Sequence, residues 1–123
     1  MSKALLLDIG NTNIKFGLAD KSGIIRSYSL PSTHNQTADS LGLYLLSLLQ
    51  HAGTPASELD LALASSVVPN LNPMLRRACA DYLNLRLAFV PEDIPLPLET
   101  RYAEPTQVGA DRLVGAFAAR TLY

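Results

Sequence analysis

The hydrophobic period of this chain first changes after three strand-like segments, and that change limits the folds open to it. Up to residue 30 the apolar residues run together or alternate; beyond residue 40 they recur at threes and fours between further apolar runs. Ala4 to Ile9 is a short apolar run broken only by Asp8, consistent with a buried strand. Gly10-Asn11-Thr12-Asn13 is turn-rich. Ile14, Phe16 and Leu18 then alternate with Lys15, Gly17 and Ala19, the period of a second strand. Asp20-Lys21-Ser22-Gly23 predicts another hairpin turn, with glycine free to take positive φ. Ile24 to Leu30 is a third strand, less clean because Arg26 falls on one face and Ile25 on the other.

From Leu41 the spacing is helical. Leu41, Tyr44, Leu45 and Leu48 share one stripe, and Gly53 followed by Pro55 supplies the stop. Leu59 to Val68 reads as a fourth strand, buried on both faces. Asn72 before Pro73 predicts a cap with proline at the first helical position. Leu75, Ala78, Cys79 and Tyr82 form the apolar stripe of that second helix, and Leu85 to Val90 is a fifth strand. Pro91, Pro95 and Pro97 exclude a helix and favour an extended loop. From Gly109 the pattern is helical again, with Val114, Phe117, Ala118 and Thr121 on one side. The order βββαβαβα implies an α/β fold, a mixed five-stranded sheet with flanking helices. That is the order of a ribonuclease-H-like half-domain, the building block of the actin and sugar-kinase ATPases. One such domain accounts for all 123 residues.

Composition narrows the function classes. At 48% hydrophobic residues the chain is too apolar for disorder. A formal net charge of −1 gives no global field to hold nucleic acid or an acidic membrane surface. Cys79, the one cysteine, permits neither an internal disulfide nor a thiolate zinc site, which points to a reducing compartment. Leu41 to Leu49 falls short of the roughly 18–20 apolar residues needed to span a bilayer. Ala4 to Leu7 is too short for a signal peptide. The expectation is a cytoplasmic protein with neither nucleic acid nor membrane as partner.

Four segments could carry chemistry. In Asp8-Ile9-Gly10-Asn11-Thr12-Asn13-Ile14-Lys15 an acid ends the first strand and a small polar turn leads into the second. Gly10 allows close backbone approach to a phosphate, and the N–H groups of such a turn can form an anion-binding concavity. Asp8 could hold a magnesium ion, and Lys15 could reach a phosphate. An ordinary hairpin with local hydrogen bonds from Asp8 and Asn11 explains the same residues, and neither P-loop nor GxGxxG is matched. Val108-Gly109-Ala110-Asp111-Arg112 opens the last helix. It is good capping chemistry, or else Asp111 is a general base beside a substrate hydroxyl and Arg112 a fixed cation for an anion. Ser65-Ser66 closes the fourth strand, either lining a cleft or ending in a turn, and Tyr102 is either packed or in a site. His34 and His51 lack metal-ligand spacing. Cys79 reads as inert core, and Arg76-Arg77 as a solvated basic pair.

Taken in order, Asp8-Ile9-Gly10-Asn11-Thr12, Ser66-Val67-Val68-Pro69 and Gly109-Ala110-Asp111-Arg112, with Tyr102 and Pro105 before the last, carry a resemblance. The chain resembles the N-terminal half-domain of the type III pantothenate kinases, also called Bvg accessory factors, of the acetate/sugar kinase–Hsc70–actin superfamily. Each motif alone is weak; the ordered set is specific and covers essentially the whole chain.

The resemblance implies transfer of the ATP γ-phosphate to the 4′-hydroxyl of pantothenate, the first step of coenzyme A synthesis. It implies that Asp8 to Lys15 (Asp8, Ile9, Gly10, Asn11, Thr12, Asn13, Ile14, Lys15) bind ATP, with Asp8 near Mg²⁺. It places pantothenate on Tyr102, Gly109, Ala110, Asp111 and Arg112, with Asp111 as proton acceptor. It also implies a homodimer and a monovalent cation, K⁺ or NH₄⁺, whose ligand lies beyond residue 123. Gly115 departs from the asparagine that many relatives carry after Asp-Arg-Leu-Val and is expected to tune the pocket. Family members are longer and contain a second half-domain, so the expectation is an N-terminal fragment with little or no kinase activity. The alternative is a nucleotide-binding accessory module without catalysis; a two-metal nuclease would need more carboxylates than the fourth strand and first helix offer.

Overall fold

The computed structural model describes residues 3–32 and 35–90. Within them, strands β1 (Lys3–Ile9), β2 (Asn13–Asp20), β3 (Gly23–Pro31), β4 (Leu59–Ser66) and β5 (Leu87–Phe89) form one sheet ordered β3-β2-β1-β4-β5. The hairpin strands β1, β2 and β3 pair antiparallel, whereas β4 lies parallel to β1 and β5 parallel to β4. Helices α1 (Ala38–Ala52) and α2 (Asn72–Leu83) make the two crossovers. This is the mixed sheet expected from the sequence. The apolar run Ala4–Leu7 is explained by its place: β1 is the central strand and both its faces are buried.

Strand alternation divides the core in two. Leu5, Leu7 and Ile9 face the larger cluster, with Ile14, Phe16 and Leu18 of β2 and the buried stripes of both helices. Ala4 and Leu6 face a smaller cluster with Ala19, Leu63, Ala88 and Val90. Both described helices therefore lie on one face. Helix α1 buries Leu41, Leu45, Leu48 and Leu49, and α2 buries Leu75, Ala78, Cys79 and Leu83. Each fully buried leucine contributes about 1.5–3 kcal/mol relative to exposure.

Local chemistry sets the helix ends. Thr37 and Ser40 form a capping box: Thr37 Oγ1 accepts from Ser40 N–H at 3.0 Å, and Ser40 Oγ accepts from Thr37 N–H at 2.8 Å. Gly53 ends α1 in the left-handed region at φ 69°, as its position before Pro55 predicts. The helices meet where the Tyr82 ring covers Gly42 and Tyr82 donates to Asp39 Oδ1 at 2.6 Å.

Five expectations are corrected in detail. The uneven alternation of β3 is a bulge: Leu18 pairs with Arg26 and Ala19 with Ile24, so Ile25 is the extra residue. Asn72 does not cap α2. It is already helical (φ −60°, ψ −48°) because a 3₁₀ turn, Pro69–Leu71, feeds straight into the helix, and its Oδ1 is buried without a partner. The last buried position of α2 is Leu83, and Tyr82 is only half-buried. Arg76 is more than a solvated charge: it donates to the Leu87 carbonyl at 3.2 Å and its guanidinium lies 4.6 Å from the centroid of Phe89. Arg77 pairs with Asp81 on the surface at 3.3 Å, and the fifth strand is shorter than expected. The expected last helix from Gly109 lies outside the described residues.

Candidate phosphate-binding site at the carboxyl ends of the parallel strands

Asp8 is the next-to-last residue of β1. Its register partners are Lys15 on the antiparallel side and Ser65 on the parallel side. Alternation puts Asp8 on the face of Ala4 and Leu6, and Ser65 on the face of Leu63, so all three side chains share the face of the smaller cluster. The row Lys15–Asp8–Ser65 thus crosses three strands at the carboxyl ends of β1 and β4. Ligands of open α/β sheets gather at such strand ends.

Electrostatics mark Asp8 further. Partial burial raises its carboxyl above the usual carboxylate range, and the Lys15 ammonium opposes that shift. Burial thus leaves the charged form of Asp8 short of solvation, and a cation would supply it. Among the described residues no group of three or more His, Cys, Asp or Glu could hold a metal ion. One carboxylate nevertheless fits Mg²⁺ bound with phosphates, since that ion usually takes one or two carboxylates and keeps several waters.

The turn after Asp8 is held from its carbonyl side. Gly10 N–H donates to Asn13 O at 2.9 Å, Ser32 N–H to Thr12 O at 2.9 Å, and Ser32 Oγ to Gly10 O at 2.7 Å. Three carbonyls are thereby occupied, whereas the Asn11 and Thr12 N–H groups carry no hydrogen bond among the described residues. Asn11, Thr12, Asn13 and Lys15 are exposed. A methyl group at Gly10 would lie 3.2 Å from Asn13 O, tight against the bond that closes the turn. The result is a small, fixed surface of donors and one cation beside a carboxylate, suited to an anion.

The expected site residues therefore divide. Asp8, Gly10, Asn11, Thr12, Asn13 and Lys15 come together. Ile9 and Ile14 are register partners sunk in the core, so they position the turn through the backbone. Ser66 Oγ accepts from Val68 N–H at 3.0 Å and so belongs to the strand-ending turn. Tyr102, Gly109, Ala110, Asp111 and Arg112 lie outside the described residues. Ser32, which binds the turn twice, was not singled out by the sequence; a lone serine after Pro31 carries no signal. Two surface hollows, of about 340 Å³ beside Asn84–Leu87 and about 320 Å³ beside Gly53–Ala56, precede β5 and β4 and so lie at the opposite ends of the strands. His51 is also elsewhere, its Nδ1 2.8 Å from Tyr28 Oη.

The family model for type III pantothenate kinase matches residues 4–123. The chain belongs to the type III pantothenate kinase family. A type III pantothenate kinase of Oleidesulfovibrio alaskensis is 55% identical over 119 residues, covering 97% of this chain and 45% of that protein. One of Lawsonia intracellularis is 35% identical over 122 residues, with the same shares. The chain thus spans about half the length of the curated type III pantothenate kinases it matches. Among solved structures, a Bacteroides thetaiotaomicron protein with an actin-like ATPase fold aligns at TM-score 0.55 and 9% identity, over 75% of this chain and 34% of that one. T. thermophilus RuvC, solved with a Holliday junction, aligns at TM-score 0.50 and 13% identity, over 98% and 96%. At such identities these two speak for the fold alone, and they bear out the α/β architecture.

Proposed function

We propose that the protein phosphorylates pantothenate at its 4′-hydroxyl with ATP, giving 4′-phosphopantothenate for coenzyme A synthesis. The observation that carries this reading is the Asp8–Lys15 turn: a half-buried carboxylate, N–H groups unpaired among the described residues and a lysine on one strand end, in a member of this family. Phosphoryl transfer needs mainly positioning and neutralisation of charge. Asn11 and Thr12 N–H groups and Lys15 bind the ATP phosphates. Asp8 holds Mg²⁺, which when bound neutralises phosphate charge. Gly10 keeps the approach open, and Ile9 and Ile14 anchor the turn.

The pantothenate side rests on family likeness. Tyr102, Gly109, Ala110 and Arg112 bind the substrate, with the Arg112 guanidinium a fixed cation for the pantothenate carboxylate or an ATP phosphate. Asp111 orients the hydroxyl and accepts its proton. In this reading residues 1–123 are one half-domain, and the remainder of the active protein supplies the K⁺ or NH₄⁺ site. The same reading takes the enzyme as a cytoplasmic homodimer. Both of these calls rest on family likeness; among the described residues no helix is long and apolar enough to cross a membrane.

The test is pantothenate-dependent ATP consumption by the protein as its gene encodes it, with Mg²⁺ and K⁺ or NH₄⁺. Turnover that Asp111→Asn abolishes is the expected result. Nucleotide binding without turnover on pantothenate would refute the kinase and select the accessory module.

A further inference from the structure

Ser65 is 6% exposed and its hydroxyl forms no hydrogen bond among the described residues; only Asn72 Oδ1 there is both sealed from solvent and unpaired, so the Ser65 hydroxyl is open to water. Its neighbour Ser66 shows what an ordinary serine does at this strand end, accepting the Val68 N–H. Ser65 instead stands level with Asp8 across the β1–β4 pair and on the same face. Parallel strands lie about 4.8 Å apart, so the two side chains are neighbours. No direct hydrogen bond joins them, and polar groups held at such a separation are commonly joined through a water. Mg²⁺ keeps several waters when a single carboxylate holds it.

We propose that Ser65 is a positioning residue whose hydroxyl bonds a water of the hydrated Mg²⁺ held at Asp8. The proposal rests on the nucleotide-binding reading above. It gives the row Lys15–Asp8–Ser65 a division of labour. Lys15 serves phosphate, Asp8 the ion, and Ser65 the ion's hydration shell. A serine that merely fills space beside Leu63 would tolerate alanine without consequence for metal binding.

The experiment compares wild type with Ser65→Ala in the protein as its gene encodes it. A fluorescent ADP analogue is titrated with Mg²⁺ and again with excess EDTA, and a thermal melt confirms folding. Removing one oxygen from a small side chain leaves the core packing in place. The ratio of the two affinities isolates the contribution of the metal. Ser65→Ala is expected to lower that ratio about fivefold, the worth of one net hydrogen bond, while the affinity in EDTA stays unchanged. An unchanged ratio in Ser65→Ala overturns the proposal and leaves the kinase reading standing. Equal loss of affinity with and without Mg²⁺ also overturns it, by showing a general packing role. A wild type that binds no better with Mg²⁺ than with EDTA overturns the reading of the site itself, and Ser65 with it.

Discussion

Replacing Gly42 by alanine sets two effects of opposite sign against each other. In an open helix the change stabilises by about 0.8–1.0 kcal/mol, because glycine is the poorer helix former. In α1 the new Cβ would stand 2.5 Å from Tyr82 Cγ and inside the envelope of the same ring's Cδ1. Cγ is the root of the ring, so no small flexing of its tip relieves the collision. The ring or the helix must move, an overpacking cost of about 1–3 kcal/mol. The expected outcome is a net loss of about 1 kcal/mol, or a Tm lower by about 4 °C for a domain of this size. Urea denaturation followed by far-UV circular dichroism measures it as a shift in midpoint at constant slope. The decisive arm is the Tyr82→Ala background. With the ring gone the collision vanishes, and Gly42→Ala should now stabilise by about 1 kcal/mol. A stabilising Gly42→Ala in the wild-type background would refute the packing argument. So would a destabilisation that persists without Tyr82.

Asp8→Asn should cost Mg²⁺-dependent nucleotide binding and yet raise stability at neutral pH. The raised carboxyl of Asp8 binds its proton more tightly when folded, so its contribution is most favourable below the unfolded carboxylate range and is lost as pH rises through the folded value. Urea midpoints of the two proteins should therefore converge near about pH 3 and separate towards about pH 7, the variant higher; parallel curves would contradict this. Burial pushes the Cys79 thiol up to about 12, so a disulfide reagent should label it in denaturant and not in the folded protein at neutral pH. Thr37→Ala removes one arm of the capping box and should destabilise by about 1 kcal/mol in chemical denaturation, with Thr37→Ser close to wild type.

The order of elements was legible because period and punctuation agree over most of the chain. Ile14, Phe16 and Leu18 could only be a strand, and Leu41, Leu45 and Leu48 only a helix closed by Gly53. What escaped reading depends on geometry between elements. The bulge at Ile25 is a register fact, visible only against β2. Asn72 looked like a cap because Asn-Pro is common there, but the preceding 3₁₀ turn had already entered helical geometry. Arg76 looked solvated because the sequence cannot show that β5 returns beneath α2 and offers the Phe89 ring. At the site, Asp8, Gly10 and Lys15 were legible as a polar turn between apolar strands. Ser32 was not, and Ser65 was legible only as one of two alternatives, cleft or turn, since their meaning comes from partners 22 and 57 residues away in Gly10 and Asp8.

The central placing of β1 has a consequence for motion. Its amides and carbonyls are paired on both sides, and its end is stitched further where Val67 N–H donates to Ile9 O at 3.0 Å. Amide exchange there requires separating β1 from β2 or β4, so those hydrogens should exchange among the slowest in the chain. Asp8 inherits this. The carboxylate is mounted on the segment least able to open locally. Any closure of the protein around a ligand must then bring other parts to this strand end, with the phosphate turn serving as the stationary reference.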